Sequence, residues 1–463
     1  MPQGEGGRRD RGPRVSRRVS PAMILLMVLP VLGLGLVGWL VSARSQAFEK
    51  RVAQLQKQFD GKLAEIREKG EPLTLAELAP PAVPDDQNAA VLYEEAFTLL
   101  EKMPRETETR LWELFPRKGP TPKAEDVTEA RKLLQPCQGA LDLVRQGTLR
   151  PKCRFDLDYN ADPGAMLLPH LSVFQRAGRL LHYGCRLEVA EGQPDAAVAD
   201  CVTLLRLADG LKDEPILISQ LVRIGAISLG TRGLATVLDQ SEPTEAALMD
   251  AAGVLVGLED RGPLLRGVKG EMSTGLTLIQ QVLDDPARAL ASSSFGFDIE
   301  QTTRQQLCAP AGRPLLLTDA TDYVHRMGRI QDLAAKPYYQ THAALKQLQD
   351  LIDQEHKTRP VEHFFTGLLL PSVTRVGLAH DRSLVAVGNA RLAIALRLYR
   401  MKHGQYPDAL AALAPDFIDR LPIDPFSGKD FIYQREGEGF VVQSVGDDEK
   451  SPTNQWWIWK CSR

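Results

Sequence analysis

No charged residue occurs between Arg18 and Arg44, and beyond that gap apolar residues recur at Val52, Leu55, Phe59, Leu63 and Ile66. The uncharged run PAMILLMVLPVLGLGLVGWLVSA has the ~20 residues that a bilayer-crossing helix needs, and the later spacing of three and four is that of an amphipathic helix. The pattern predicts a transmembrane helix over 22–43 that continues as a helical stalk over 44–70. The four prolines of EPLTLAELAPPAVPDD then stop the helix, so 71–86 reads as a linker.

Helical periodicity resumes after the linker. Helices are expected from Asp85 or Asp86 to Glu101, then over 124–146, 163–191, 196–211, 215–239, 243–258, 263–283, 313–334 and 337–356. Gly192 to Asp195 reads as a turn and 287–309 as an irregular loop. Residues 87–370 therefore form an irregular α-helical body. The remaining 371–463 begin with a long helix that Gly404 ends, followed by a short helix from Tyr406 to Ala414. Period-two stretches around 431–434, 440–444 and 456–460 then predict a small antiparallel sheet. The fold class is mainly α, with an α+β end.

Charge sets an orientation. Arg8, Arg9, Arg11, Arg14, Arg17 and Arg18 outnumber Glu5 and Asp10 ahead of the apolar run, and mixed charges follow it. The positive-inside rule makes 1–21 a basic cytoplasmic tail and places the body outside the inner membrane, in the periplasm. A cleaved signal peptide is the competing reading, with Val41, Ser42 and Ala43 as the small residues of its site. A net charge of -3 over 463 residues gives no argument for nucleic acid. Outside the cytoplasm the six cysteines can pair. Cys185 and Cys201, on either side of the predicted turn, are placed to face each other as a disulfide or to stay as buried thiols.

The C-terminal stretches LYRMKHGQYPDALAAL, LPIDPFSGKDFIY and GFVVQSVGDD carry a G-x-Y-P turn, a D-P-F-x-G turn and an S-x-G-x-D loop in that order. This resembles the C-terminal part of the major pseudopilin of type II secretion systems. The matching residues are Tyr399, Gly404, Tyr406, Pro407, Asp424, Pro425, Phe426, Gly428, Tyr433, Ser444, Gly446 and Asp448. The resemblance covers about 383–450 and implies a long helix capped by a small sheet. It also implies a calcium loop, with Ser444, Asp447 and Asp448 as oxygen ligands; the later acidic pair of that family is missing, so a solvated acidic turn is the other reading. No prepilin-peptidase site precedes Met23, which argues against a standard pseudopilin. The overall plan resembles uncharacterised membrane-anchored proteins of planctomycete-type bacteria.

Catalytic signatures are missing: there is no HExxH, G-x-S-x-G, P-loop or CxxC. Glu94 with Glu95, Asp156 with Asp158, and the arginines 176, 179, 186, 206 and 223 read as solvated, and His170 and His182 as structural. No catalytic or cofactor-binding residue is expected. The function expected is a single-pass interaction or structural protein with protein partners in a secretion-like or envelope assembly. A periplasmic enzyme or ligand-binding protein with its site in the helical body is the alternative.

Overall fold

The computed structural model describes residues 21–116, 122–162, 166–291, 299–446 and 458–462. Contacts divide the chain into two units, Met1–Lys57 and Gln58–Arg463. Helix α1 spans Pro21–Glu68, and in the first unit its Leu36, Val37, Trp39, Leu40 and Val41 are all exposed. In the second unit Phe59 is buried and begins a body of fourteen further helices and one sheet among the described residues.

The 71–86 stretch is non-helical apart from one tight turn at Ala76–Leu78. It is nevertheless packed, with Leu73 and Leu75 buried and Glu71 paired to Lys269 at 2.7 Å. Helix α2 (Ala89–Glu101) starts at Asn88, whose side chain accepts from Ala90 N–H at 3.1 Å. Helix α3 (Glu106–Leu114) was not foreseen, although Leu111, Leu114 and Phe115 bury one side of it. The single helix expected over 124–146 is two, α4 (Ala124–Leu134) and α5 (Gln138–Gly147), separated by a tight turn at Gln135–Cys137. Pro136 supplies the reason, having no N–H for the helical ladder.

Helices α6 (Pro169–Ala190) and α7 (Pro194–Asp209) form the expected hairpin, turning at Gly192 with φ +72°. Helix α8 (Leu217–Gln240) is long and apolar enough to cross a membrane, but it packs against α6 and α7 with Ser219, Gln220, Arg223 and Thr231 buried. Such a helix, apolar on most sides, is what the centre of a helical body requires. There follow α9 (Glu245–Val256), α10 (Gly262–Asp284), α11 (Pro286–Ala291), α12 (Gln301–Cys308), α13 (Gly312–Ala334) and α14 (Tyr338–Thr358). The stretch expected as a loop thus contains two short helices.

Helix α15 runs Phe364–His403, earlier than the expected start at Pro371. A proline favours a first turn, but here Asp319 of α13 caps an earlier start. Its carboxylate accepts from Phe365 N–H at 2.5 Å and from the Thr366 hydroxyl at 2.7 Å. Gly404, in the left-handed region at φ +77°, closes the other end.

The sheet has the order β1-β2-β3, all antiparallel: β1 Ile432–Glu436, β2 Gly439–Gln443 and β3 Ile458–Cys461. Phe440, Val442, Trp459 and Cys461 face inward and join a core shared with α2, α6, α7, α8 and α15. The molecule is therefore mainly helical with a small three-stranded sheet near its C-terminal end, as the hydrophobic pattern predicts.

Candidate functional site

The turn residues of the C-terminal motif meet at Asp424, which is 1 % exposed. Its carboxylate accepts from Phe426 N–H at 3.0 Å, Ser427 Oγ at 3.0 Å, Ser444 Oγ at 2.7 Å and Val445 N–H at 3.1 Å. Gly428, at φ +70°, leaves room for the Tyr339 ring of α14, and Tyr339 N–H donates to Pro425 O at 3.0 Å. Phe426 packs on Tyr338, with ring centroids 4.7 Å apart. Tyr433 donates to Pro407 O at 2.7 Å, Tyr406 meets Phe440 edge-on, and Tyr399 lies 5.2 Å from Phe417. Gly446, at φ +79°, donates to Ser444 Oγ. These residues weld turn, sheet and helices together, and their polar groups are spent on one another. Asp447 and Asp448 lie outside the described residues; among the described residues no three His, Cys, Asp or Glu groups converge to hold a metal ion.

Cys185 and Cys201 do face each other. Their sulfurs are 3.3 Å apart, unbonded, under Gly233, where a Cβ would stand 2.5 Å from Cys201 Sγ. Nearby on the same hairpin Glu188 is half-buried beside the buried Asp200, and desolvation pushes Glu188 up to about 8. The same cause drives His182 down to about 3.

The arginines are less solvated than expected. Arg223 is 2 % exposed, and Arg186 lies over the Phe115 ring and donates to Phe115 O. Arg206 pairs with the exposed Asp250 at 2.7 Å. Arg176 donates to the carbonyls of Leu100, Met103 and Pro104, satisfying the end of α2, and pairs with Glu108. Arg179 shares Glu108 at 2.7 Å.

Those last contacts build one wall of a cavity of about 760 Å³ between α3 and α6, with Arg105, Trp112, Arg176, Arg179 and Tyr183 on it. A second cavity, of about 580 Å³, adjoins it, and Glu101 and Val173 line both. Glu94, Glu101, Asp156 and Asp158 line the second, with no lysine or arginine. Its floor is positioned by Asn88, which donates to Arg154 O and accepts from Arg154 N–H, each at 2.8 Å. His170 stands in its wall, 6 % exposed and stacked on Phe155 at 4.3 Å.

The two cavities share Glu101 and Val173 in their walls; the first carries Arg105, Arg176 and Arg179 together with Glu101 and Glu108, and the second carries carboxylates without lysine or arginine. The sequence offers Glu94 with Glu95, Asp156 with Asp158 and Arg176 and Arg179 within a set of five arginines as solvated side chains, and His170 with His182 as structural, and it does not single out Glu108 or Trp112. No family model, no curated protein and no solved structure matches the chain.

Proposed function

We propose that this is a membrane-anchored, extracytoplasmic interaction protein whose body holds an extended segment of an envelope partner in the groove between α2, α3 and α6. The observation that carries the reading is the pair of neighbouring cavities that share Glu101 and Val173, one with Trp112 and three arginines in its wall and the other with carboxylates. At about 1.5 Å of rise per residue, His170 and Arg179 are separated along α6 by about 14 Å, the length of about four extended residues. Trp112, 60 % exposed on the rim, is the kind of aromatic anchor that dominates binding energy at interfaces. The uncharged run ahead of Arg44, with its exposed apolar side chains, supports the anchor. The pseudopilin-like order of turns near the C-terminal end supports a place in a secretion-like assembly, with the tail acting as a rigid part of the body.

The test is crosslinking in intact cells, followed by capture of the full-length chain and of its Trp112→Ala variant. Envelope-assembly components enriched with the parent and lost with the variant are the expected result. Equal capture by both, or recovery of the chain alone, overturns the groove as a partner site and leaves a small-molecule site in the body as the reading to pursue.

A further inference from the structure

Tyr93 of α2 is 1 % exposed, and the far half of its ring is fixed between α5 and the end of α7. A Cβ on Gly147 would stand 2.4 Å from Cε1, and one on Gly210 would stand 3.5 Å from Cε2. Buried tyrosine hydroxyls usually find a partner, but among the described residues this one makes no hydrogen bond. Nor is its oxygen sealed in, as the orphaned Nδ1 of His170 is. The open space on that side is a cavity of about 260 Å³, walled by the Tyr93 ring, Gly210, Cys153 and the ends of α7 and α9. It shares no wall residue with the two cavities between α2, α3 and α6.

Four cationic side chains stand around it: Arg150, Lys152, Arg206 and Lys212. Arg206 is balanced by Asp250 at 2.7 Å and Lys212 by Asp209 at 2.6 Å, while Asp213, also on the wall, is engaged by Arg266 at 3.5 Å. Arg150 donates Nη1 to the carbonyls of Asp85 and Asn88, and among the described residues neither Arg150 nor Lys152 meets a carboxylate. The cavity therefore carries two uncompensated positive charges beside a phenol with a proton to donate. Burial pushes that phenol well above its usual value, so it stays a donor at neutral pH.

We propose that this cavity binds the phosphate group of a small molecule, with Tyr93 donating to one oxygen and Arg150 and Lys152 supplying the countercharge. A phosphate monoester carries a charge of about -1.5 to -2 at neutral pH and three strong acceptor oxygens. That charge matches two unpaired cations, where a monocarboxylate would leave one over. The volume equals that of about nine waters, room for the phosphate and a short carbon chain. The site is independent of the partner groove, and either can fail without the other.

The experiment is calorimetric titration of the detergent-solubilised full-length chain with inorganic phosphate and, separately, with acetate, at constant ionic strength. Phosphate is expected to bind more tightly than acetate. Tyr93→Phe keeps the ring and removes the donor, and should weaken phosphate about tenfold, the effect of losing one hydrogen bond to a charged group. Lys152→Gln, at an exposed position, should weaken it to a similar extent. Without phosphate, Tyr93→Phe should leave the urea midpoint unchanged, because the hydroxyl has no protein partner to lose; a lower midpoint would give the hydroxyl a structural role and overturn the site. No binding at millimolar phosphate overturns it as well. So does equal binding by the parent and both variants, which is how a diffuse counterion behaves, and a preference for acetate overturns the assignment to phosphate.

Discussion

Asp424 and the facing cysteines are the residues whose substitution reports most directly on how the body is held together. Asp424→Ala strands buried donors from two segments, the 424–428 turn and the loop after β2, and unmet buried groups cost about 1–3 kcal/mol each. A loss of about 3 kcal/mol in urea unfolding is therefore expected, with Asp424→Asn milder because one acceptor oxygen remains. Unchanged unfolding of Asp424→Ala would show that water replaces the carboxylate without penalty. On the extracytoplasmic location proposed for the body, thiol–disulfide exchange with an oxidised partner is expected to join the Cys185 and Cys201 sulfurs. Closing a loop of that size stabilises by about 3 kcal/mol in the chain-entropy account. Peptide mapping of the unreduced protein should recover the linked pair, and a lower Tm should follow reduction. Recovery of both as alkylated free thiols counts against the bond.

Among the elements, α15 draws its start from another helix, and the burial of the capping group, which outweighs the lowering effect of its hydrogen bonds, gives the body a pH dependence. Burial raises Asp319 from 3.8 to about 7 in the folded chain. Between those values the folded chain keeps a proton that the unfolded chain releases, so this contribution to stability is full below about pH 4 and is lost as pH rises through 7. It amounts to roughly 4 kcal/mol at most. Glu271, raised by burial to about 7, acts in the same direction, while His182 and His380, driven to about 3, oppose it below pH 6.5. Denaturant midpoints from pH 5 to 8 should fall with rising pH, less steeply for Asp319→Asn; parallel curves would remove Asp319 as the source. The turn on α14 is tested by Gly428→Ala, which forces a left-handed backbone and sets a Cβ 2.7 Å from the Tyr339 ring; a loss of about 2 kcal/mol is expected in the same assay. Local pattern made much of this legible. The α6–α7 hairpin, the Gly404 stop and the Asp424–Gly428 turn follow from periodicity and backbone preference. The start of α15 did not, because its cap lies 46 positions away in sequence. The cavity wall was hidden for the same reason: His170 takes its place there from Glu214, 44 positions on, and Trp112 from a short helix whose charged residues mask its apolar side.

For the whole molecule, the orientation proposed for the chain predicts a labelling pattern. Cys308 is the exposed cysteine, while Cys137, Cys185, Cys201 and Cys461 are buried and Cys153 is partly so. A membrane-impermeant maleimide applied to spheroplasts should modify Cys308 and leave Cys308→Ser unlabelled; modification only after lysis would place the body on the cytoplasmic side. The continuous helix α15, about 60 Å long at about 1.5 Å per residue, is capped at one end by α13 and packed at the other against β2 and β3. Its consequence lies in time as much as in space. Apart from Pro371, whose missing N–H interrupts the ladder two turns in, the helix enters both surroundings unbroken and offers no second seam at which one could open while the other stays shut. Its central amides should therefore exchange with solvent at the slowest rate in the molecule, and a protease that nicks either side should free no folded fragment.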